Sequence, residues 1–496
     1  MQNEKKPVNI VWILMDHQIF KHHDFPGNPY PELPTYDRIS GNGVRFDKAL
    51  SICPICTPAR GSMLTGVYPH KHKLMQNTGS KYDENQEEFS DDTKLFNYYL
   101  QKNGYRCGYF GKWHCGGEKI AKDYGFEGFS DSDYGYPYAL PEYKEYLKEK
   151  NLPEPVIDME WHYNEENIGK DYNLTACPKG PRPHMGVGVL KTPEQTHESY
   201  FIADRACKWM EERAKSNETF CLRVDPWGPH HPYYVPEAYA NTIDPNTIKQ
   251  YKNFSHDLAD RPEHQKSYRE RIQNKIKMPN WEDWPWMVAR AYEHVHFVDK
   301  TMGMVLDTIE RLGLTENTMV IYTADHGDAL ASHGGIIDKD SFMAEETMRI
   351  PMAISWPGNP EPGKVLDCPV TNMDIVPTIL EAANIKDEYQ SDGEDLLGFV
   401  TKPETQREDI LCEHHGHGID AYQRYLRYKN YVYVAHLDDL DELYDIEKDP
   451  YQLENKIQAP AFSSILKELK QRVINHMKKF DDVHTSRAKK LLKKLN

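Results

Sequence analysis

The stretch from Val8 to Met15 is an apolar run broken only by Asn9. A short run of this kind between polar flanks reads as a strand buried on both faces. Arg106 to Phe110, Thr219 to Val224, Thr318 to Thr323 and Pro351 to Trp356 repeat the pattern. Between them, helical spacing of apolar residues predicts helices near 92–103, 194–215, 286–312 and 374–384. Strands alternating with helices predict an α/β domain built on a large, mixed, mostly parallel sheet flanked by helices. Polar residues follow the strands: Asp16 the first, Lys112 and His114 the second, Asp225 to His231 the third, Asp325 and His326 the fourth. Open α/β sheets bind ligands beyond those strand ends.

Two segments depart from the alternation. Tyr124 to Pro193 is rich in Tyr, Pro, Gly and Glu with little periodicity, and reads as a long insertion facing the substrate side. From about Asp409, β-rich runs such as Arg424 to His436 give way to a Lys- and Leu-rich helix reaching the end. This predicts a smaller C-terminal α+β subdomain. The expected division is a catalytic domain over 1–400, with its insertion at about 118–193, and a subdomain over 401–496.

The length of 496 residues exceeds what one core usually serves. A formal charge of -17 argues against a nucleic-acid partner, so an anionic substrate would need a local cluster of cations. Nine cysteines show no framework spacing, leaving disulfides open. Val8 to Met15 is too short to span a membrane, and no small-residue cleavage site follows it. The expectation is therefore no membrane partner, and either a cytoplasmic location as numbered or a periplasmic or secreted one after removal of an export signal. Lys489, Lys490, Lys493 and Lys494 read as a solvated helix face, and the oligomeric state is left unknown.

Cys53 and Cys56 form a C-x-x-C, but no second such pair completes a zinc site. More informative is Cys56-Thr57-Pro58-Ala59-Arg60, followed by Thr65-Gly66. It resembles the C-x-P-x-R signature of type I, formylglycine-dependent sulfatases. The resemblance implies that a formylglycine-generating (sulfatase-maturating) enzyme oxidises Cys56, and that the hydrated aldehyde supplies the nucleophile. Five further pieces follow in the family's order. Asn9 to His17 resembles the opening strand that delivers two metal ligands, Asp16 and His17, where the family commonly carries Asp-Asp or Asp-Gln. Gly108 to His114 resembles the G-K-W-H element, implying that Lys112 binds a sulfate oxygen and His114 contacts the formylglycine hydroxyl. Pro229-His230-His231-Pro232 resembles P-H-x-P, which puts His230 beside the leaving group and His231 at the variable position. Tyr322 to Gly327 resembles T-S-D-H-G, implying Asp325 and His326 as metal ligands; on their own residues they could equally be a helix cap and a turn. Ser332 to Lys339 resembles a glycine-rich loop leading to a sulfate-binding lysine, Lys339. Glu345 to Pro351 and Glu442 to Pro450 resemble structural passages of the same family.

Val8 to Pro450 is thus similar to sulfatases of the alkaline-phosphatase-like superfamily. The resemblance implies hydrolysis of a sulfate monoester with Ca2+, or another divalent metal such as Mn2+. One hydroxyl of the hydrated aldehyde attacks sulfur while Arg60, Lys112, Lys339 and the metal offset the negative charge. His230 or Lys339 protonates the leaving alcohol, and His114 takes the proton whose loss expels sulfate. The expected substrate is a sulfated carbohydrate, polysaccharide or oligosaccharide. Trp281, Trp284, Trp286 and Tyr134 to Tyr143 are candidates for stacking on sugars, and His414-His415-Gly416-His417 could reach the cleft. Alternatives are a phosphonate monoester or phosphodiester hydrolase of the same superfamily, a silent carbohydrate-binding protein on this fold, and a zinc phosphatase using Thr57.

Overall fold

The apolar run after Pro7 forms strand β1 (Asn9–Met15), whose seven residues are all buried. Residues are described here from a computed structural model covering 8–20, 29–80, 85–162, 172–175, 186–385 and 389–496. The main sheet adds β2 (Val44–Phe46), β3 (Arg106–Lys112), β4 (Glu127–Asp131), β5 (Phe220–Asp225), β6 (Thr318–Ala324), β7 (Met352–Ser355) and β8 (Lys364–Leu366). Its order is β8-β2-β7-β6-β1-β5-β3-β4. All neighbours pair in parallel except β7, which is antiparallel to both β6 and β2. The sheet is therefore mixed and mostly parallel, as the strand and helix alternation predicts.

Register decides where the chemistry collects. Met15 pairs with Ala324 across β1 and β6, Ile13 with Val224 across β1 and β5, and Gly111 with Asp225 across β3 and β5. Four strands thus end together, presenting Asp16, Lys112, Asp225 and Asp325 along one edge. The helices lie where periodicity puts them: α2 (Phe96–Lys102), α3 (Glu198–Lys215), α4 (Pro285–Arg311) and α5 (Ile375–Ala382). Helix α1 (Cys56–Thr65) is buried along its whole length. Strands β2 and β8, three residues each, are too short for alternation to reveal.

The insertion expected at 118–193 includes 163–171 and 176–185, which lie outside the described residues. Its described part is more regular than its composition suggests. Val156–His162 pairs antiparallel with Gly186–Leu190, which pairs in parallel with Tyr233–Pro236. A register shift between Met159 and Trp161 breaks the alternation, which hides the strand from a periodicity reading.

The C-terminal part forms an antiparallel sheet of β9 (Asp409–His414), β10 (Gln423–Tyr428), β11 (Tyr431–His436) and β12 (Glu442–Asp445). Its side chains alternate between two cores. Ile410, Cys412, Tyr425, Val432, Val434 and Tyr444 pack on Leu50, Ile52, Met343 and Met348 of the catalytic part. Leu411, Leu426, Tyr433 and Leu443 pack instead on helices α6 (Ser463–Lys479) and α7 (Ser486–Leu495). The single terminal helix expected from the sequence is two helices. The Thr485 hydroxyl accepts a hydrogen bond from Ala488 N–H at 3.0 Å and starts the second one. Among the described residues, the cysteines are buried free thiols, and no helix is long and apolar enough to cross a membrane.

Candidate active site

Helix α1 begins at Cys56, so the thiol sits where free backbone N–H groups and the helix dipole favour negative charge. The ligand atoms of Asp16, Cys56, Asp325 and His326 all lie within 4.8 Å of one another, and all four residues are buried. Cys56 Sγ is 3.1 Å from His326 Nε2 and 3.9 Å from Lys112 Nζ. Lys112 Nζ also donates to Asp16 Oδ2 at 2.6 Å and lies 4.1 Å above the Tyr134 ring.

Arg60, one turn along α1, has no exposed surface. It donates to Asp325 Oδ2 at 2.9 Å, Asp225 Oδ2 at 3.1 Å, Asp16 Oδ1 at 3.3 Å and the Lys112 carbonyl at 2.9 Å. Its guanidinium is thus a buried clamp on three carboxylates, its donors turned to protein acceptors. Asp225 is held in turn by Tyr109 OH at 2.7 Å and Arg223 Nε at 2.9 Å. Sequence reasoning put Asp225 at a strand end without a role and passed over Arg223 and Tyr109. A charged or hydroxylated residue inside an otherwise apolar strand was the signal that could have found them.

Burial pushes the Asp16 carboxyl up to about 7 against the pull of Lys112. Burial also works against ionised Asp325, but His326, Arg60 and Lys112 more than offset it and hold that carboxyl below its usual range. Burial pushes His326 down to about 4 despite Asp325 beside it, so its imidazole is neutral. His326 Nδ1 donates to the Gly327 carbonyl at 2.9 Å, which turns the Nε2 lone pair toward the group. Asp325 Oδ1 accepts N–H bonds from His17 and His326, each at 2.9 Å. Two oriented carboxylates and one oriented imidazole suit a divalent ion such as Ca2+ or Mn2+. The residues present fit such an ion.

His17 goes elsewhere. Its backbone joins Asp325, but its ring lies 4.5 Å from the His230 ring and forms a second group with His230 and His231. His230 Nδ1 is 3.2 Å from Tyr134 OH. His114 enters by a turn and not by strand alternation: β3 ends at Lys112, and His114 has a φ of 51°. The Thr57 hydroxyl, which donates to the His114 carbonyl at 2.8 Å, fixes that turn. Committed to this bond, Thr57 is not presented as a nucleophile. Lys339 is buried and pairs with Asp338 at 2.9 Å. Burial opposes its charge, but Asp338 and then Cys56 outweigh that and raise its pKa above the ordinary lysine value.

The histidines of the C-terminal loop divide. His414 Nε2 meets the Asp340 carbonyl at 3.1 Å and His415 Nε2 meets Glu413 at 3.1 Å, while burial pushes His417 down to about 4 against the pull of Asp338. Of the tryptophans offered for sugar stacking, Trp284 is enclosed in the core and the other two are partly buried. Trp284 is fully buried and donates to the Met278 carbonyl, and Trp281 and Trp286 pack on the same core.

Comparison with known proteins places this arrangement. The family model described as Sulfatase matches residues 8–385, and the model described as N-sulphoglucosamine sulphohydrolase, C-terminal, matches 332–479. An ulvan-active sulfatase of Formosa agariphila is 26% identical over 493 residues, covering 98% of this chain and 84% of that protein. An N-acetylglucosamine-6-O-sulfatase of Bacteroides thetaiotaomicron is 24% identical over 529 residues, covering 97% and 88%. The crystal structure of a phosphonate monoester hydrolase of Agrobacterium radiobacter shares the fold with a TM-score of 0.76 at 17% identity, over 95% of this chain and 96% of that one.

Proposed function

This chain belongs to the sulfatase family, in the alkaline-phosphatase-like superfamily, and from that premise we propose that it hydrolyses sulfate monoesters on carbohydrates through a formylglycine made from Cys56. The observation that carries this reading is the gathering of Asp16, Cys56, Asp325 and His326 within 4.8 Å at the head of a buried helix. Asp16, Asp325 and His326 would hold the divalent cation. When present, the hydrated aldehyde supplies a hydroxyl nucleophile and the cation offsets charge on the sulfate oxygens.

The remaining steps fall to the chain's own side chains. Lys112 Nζ, 3.9 Å from the position of the nucleophile, donates to a sulfate oxygen and offsets its charge. Arg60 keeps Asp16, Asp225 and Asp325 in place and balances their charge. His230 is held neutral by burial, so protonation of the leaving oxygen falls to Lys339 Nζ, which stays charged. His114 is also neutral through burial, and its Nδ1 has no hydrogen-bond partner among the described residues. It accepts the proton released as sulfate departs.

The carbohydrate assignment is supported by the two relatives whose names specify ulvan and N-acetylglucosamine-6-O-sulfate. The test is to express the chain with a formylglycine-generating enzyme, capture the aldehyde at position 56 with a hydrazide, and assay a panel of defined sulfated sugars beside an aryl sulfate and an aryl phosphonate. Sulfate release from one or more sugars is expected. Preference for the phosphonate, with no sugar desulfated, sinks the proposal.

A further inference from the structure

Tyr134 is among the rings that suit sugar stacking, yet its contacts turn it inward to the reacting groups. Register places it there. Lys112, the last residue of β3, pairs with Asp131, the last residue of β4, so the chain leaving β4 starts beside Lys112. Asp131 Oδ2 accepts the Tyr136 N–H at 3.0 Å, and the Asp133 N–H donates to the Gly116 carbonyl at 2.8 Å. These bonds hold residues 131–136 in a turn beside the segment that follows β3. Gly135 stands in that turn at a φ of 75°, where a Cβ would meet Asp131 Cβ at 2.9 Å and Trp227 Cζ2 at 3.0 Å, a position that glycine suits. From the other side the Trp227 indole N–H donates to the Tyr134 carbonyl at 2.8 Å. The Tyr134 backbone is thus tied to the segments leaving both β4 and β5.

The ring meets three groups of the site. Lys112 Nζ lies 4.1 Å from its centroid, within the range in which a π face attracts an ammonium, and that attraction grows as water is excluded. The His114 and His230 rings cross it at 86° and 61°, each with centroids 5.4 Å away, and its hydroxyl is 3.2 Å from His230 Nδ1. Lys112 has no exposed surface, and its Nζ is 2.6 Å from Asp16 Oδ2 and 3.9 Å from Cys56 Sγ. One carboxylate alone leaves an ammonium free to swing on its flexible four-carbon stem. The ring supplies a second point of attraction and fixes the direction of the N–H bonds that remain. The face that Lys112 occupies is not open to a sugar.

With Lys112 as the donor to a sulfate oxygen, the role proposed for it above, we propose that Tyr134 is a positioning residue of the sulfate site: its ring face seats the Lys112 ammonium and aims it at the sulfate group. A sugar platform would favour carbohydrate esters alone. A seat for Lys112 serves every sulfate ester, whatever alcohol carries it.

The test compares Tyr134→Phe and Tyr134→Leu with the unsubstituted full-length protein, all converted to the aldehyde form, on a sulfated sugar and an aryl sulfate. The first variant keeps the ring face and drops the hydroxyl; the second drops both. For Tyr134→Leu, kcat/KM is expected to fall about 10- to 30-fold on both substrates, the size of a desolvated cation–π contact, while Tyr134→Phe stays within about threefold of the parent. Assays run well below each thermal midpoint read folded protein only. A loss confined to the sugar, equal losses in the two variants, or no loss in Tyr134→Leu overturns the proposal. Binding of inorganic sulfate to the unconverted proteins in Ca2+, followed by calorimetry, needs no turnover, and about tenfold weaker binding is expected for Tyr134→Leu alone. Equal sulfate binding by the parent and Tyr134→Leu overturns this proposal and leaves the sulfatase reading standing. Weaker binding by Tyr134→Leu, with no substrate desulfated by the parent, does the reverse. If Tyr134→Leu does not fold, Tyr134→Met takes its place.

Discussion

At the residue scale, position 56 and its cations make the sharpest expectations. Cys56→Ser puts a single hydroxyl where a geminal diol is required, and a sulfated serine has no second hydroxyl through which to expel sulfate. Turnover is expected to fall by ~10³ or more, the scale seen when a nucleophile is removed, measured as sulfate release under multiple-turnover conditions. A serine variant retaining most of its rate contradicts the chemistry. Lys339→Ala is expected to lower kcat by about 10²–10⁴. The loss should be larger for an alkyl sulfate, whose leaving oxygen needs a proton, than for an aryl sulfate with an acidic phenol. Equal losses on both would assign Lys339 to binding alone. Motif order makes most of these residues legible in the sequence. The direction of His17 is not, because whether its ring turns to Asp325 or to His230 depends on residues more than two hundred positions away.

At the scale of elements, the end of β3 is the weak point. Gly111 has a φ of 121° and approaches β5 so closely that a Cβ would stand 1.9 Å from the Asp225 carbonyl oxygen. No L side chain adopts that backbone without strain, which costs about 1–3 kcal/mol before the clash is counted. Gly111→Ala is expected to lower the thermal midpoint and, by moving Lys112 and Asp225 apart, to reduce kcat/KM more than stability alone explains. Both are read on one preparation by calorimetry and steady-state kinetics, and unchanged values in both would show that the strands can part freely. The main strands were legible because each is a continuous buried run. The strand Val156–His162 was not, because its register shift destroys the alternation.

At the scale of the whole molecule, the C-terminal sheet is joined to the catalytic part by buried charge. Arg261 Nη1 meets Glu442 Oε2 at 2.8 Å, and Glu442 also accepts from His436 at 3.0 Å and Tyr444 OH at 2.7 Å. Burial opposes the Glu442 charge, but His436 and Arg261 hold its pKa at about 2, below the ordinary 4.5. A carboxylate depressed on folding adds stability that is fully present above its unfolded value and is lost as pH falls toward the folded one. Acidification from pH 4.5 to 2 is therefore expected to loosen this interface, followed by thermal unfolding across that window. Arg261→Met leaves Glu442 buried without its cation and should cost about 3–5 kcal/mol at neutral pH. It should also flatten the pH dependence between 4.5 and 2, read from urea midpoints. A variant as stable as the parent, with the same acid slope, would show that the contact contributes little.

The chain by itself determined the long core strands and helices, and the order of its short motifs, because periodicity, apolar runs and local spacing are properties of neighbouring residues. Only the tertiary structure decided that Asp225 joins Arg60, that Thr57 serves a turn, that His17 parts from Asp16, and that the C-terminal sheet divides its faces between two cores. Those outcomes depend on strand register and on contacts between distant positions, and no local pattern carries that information.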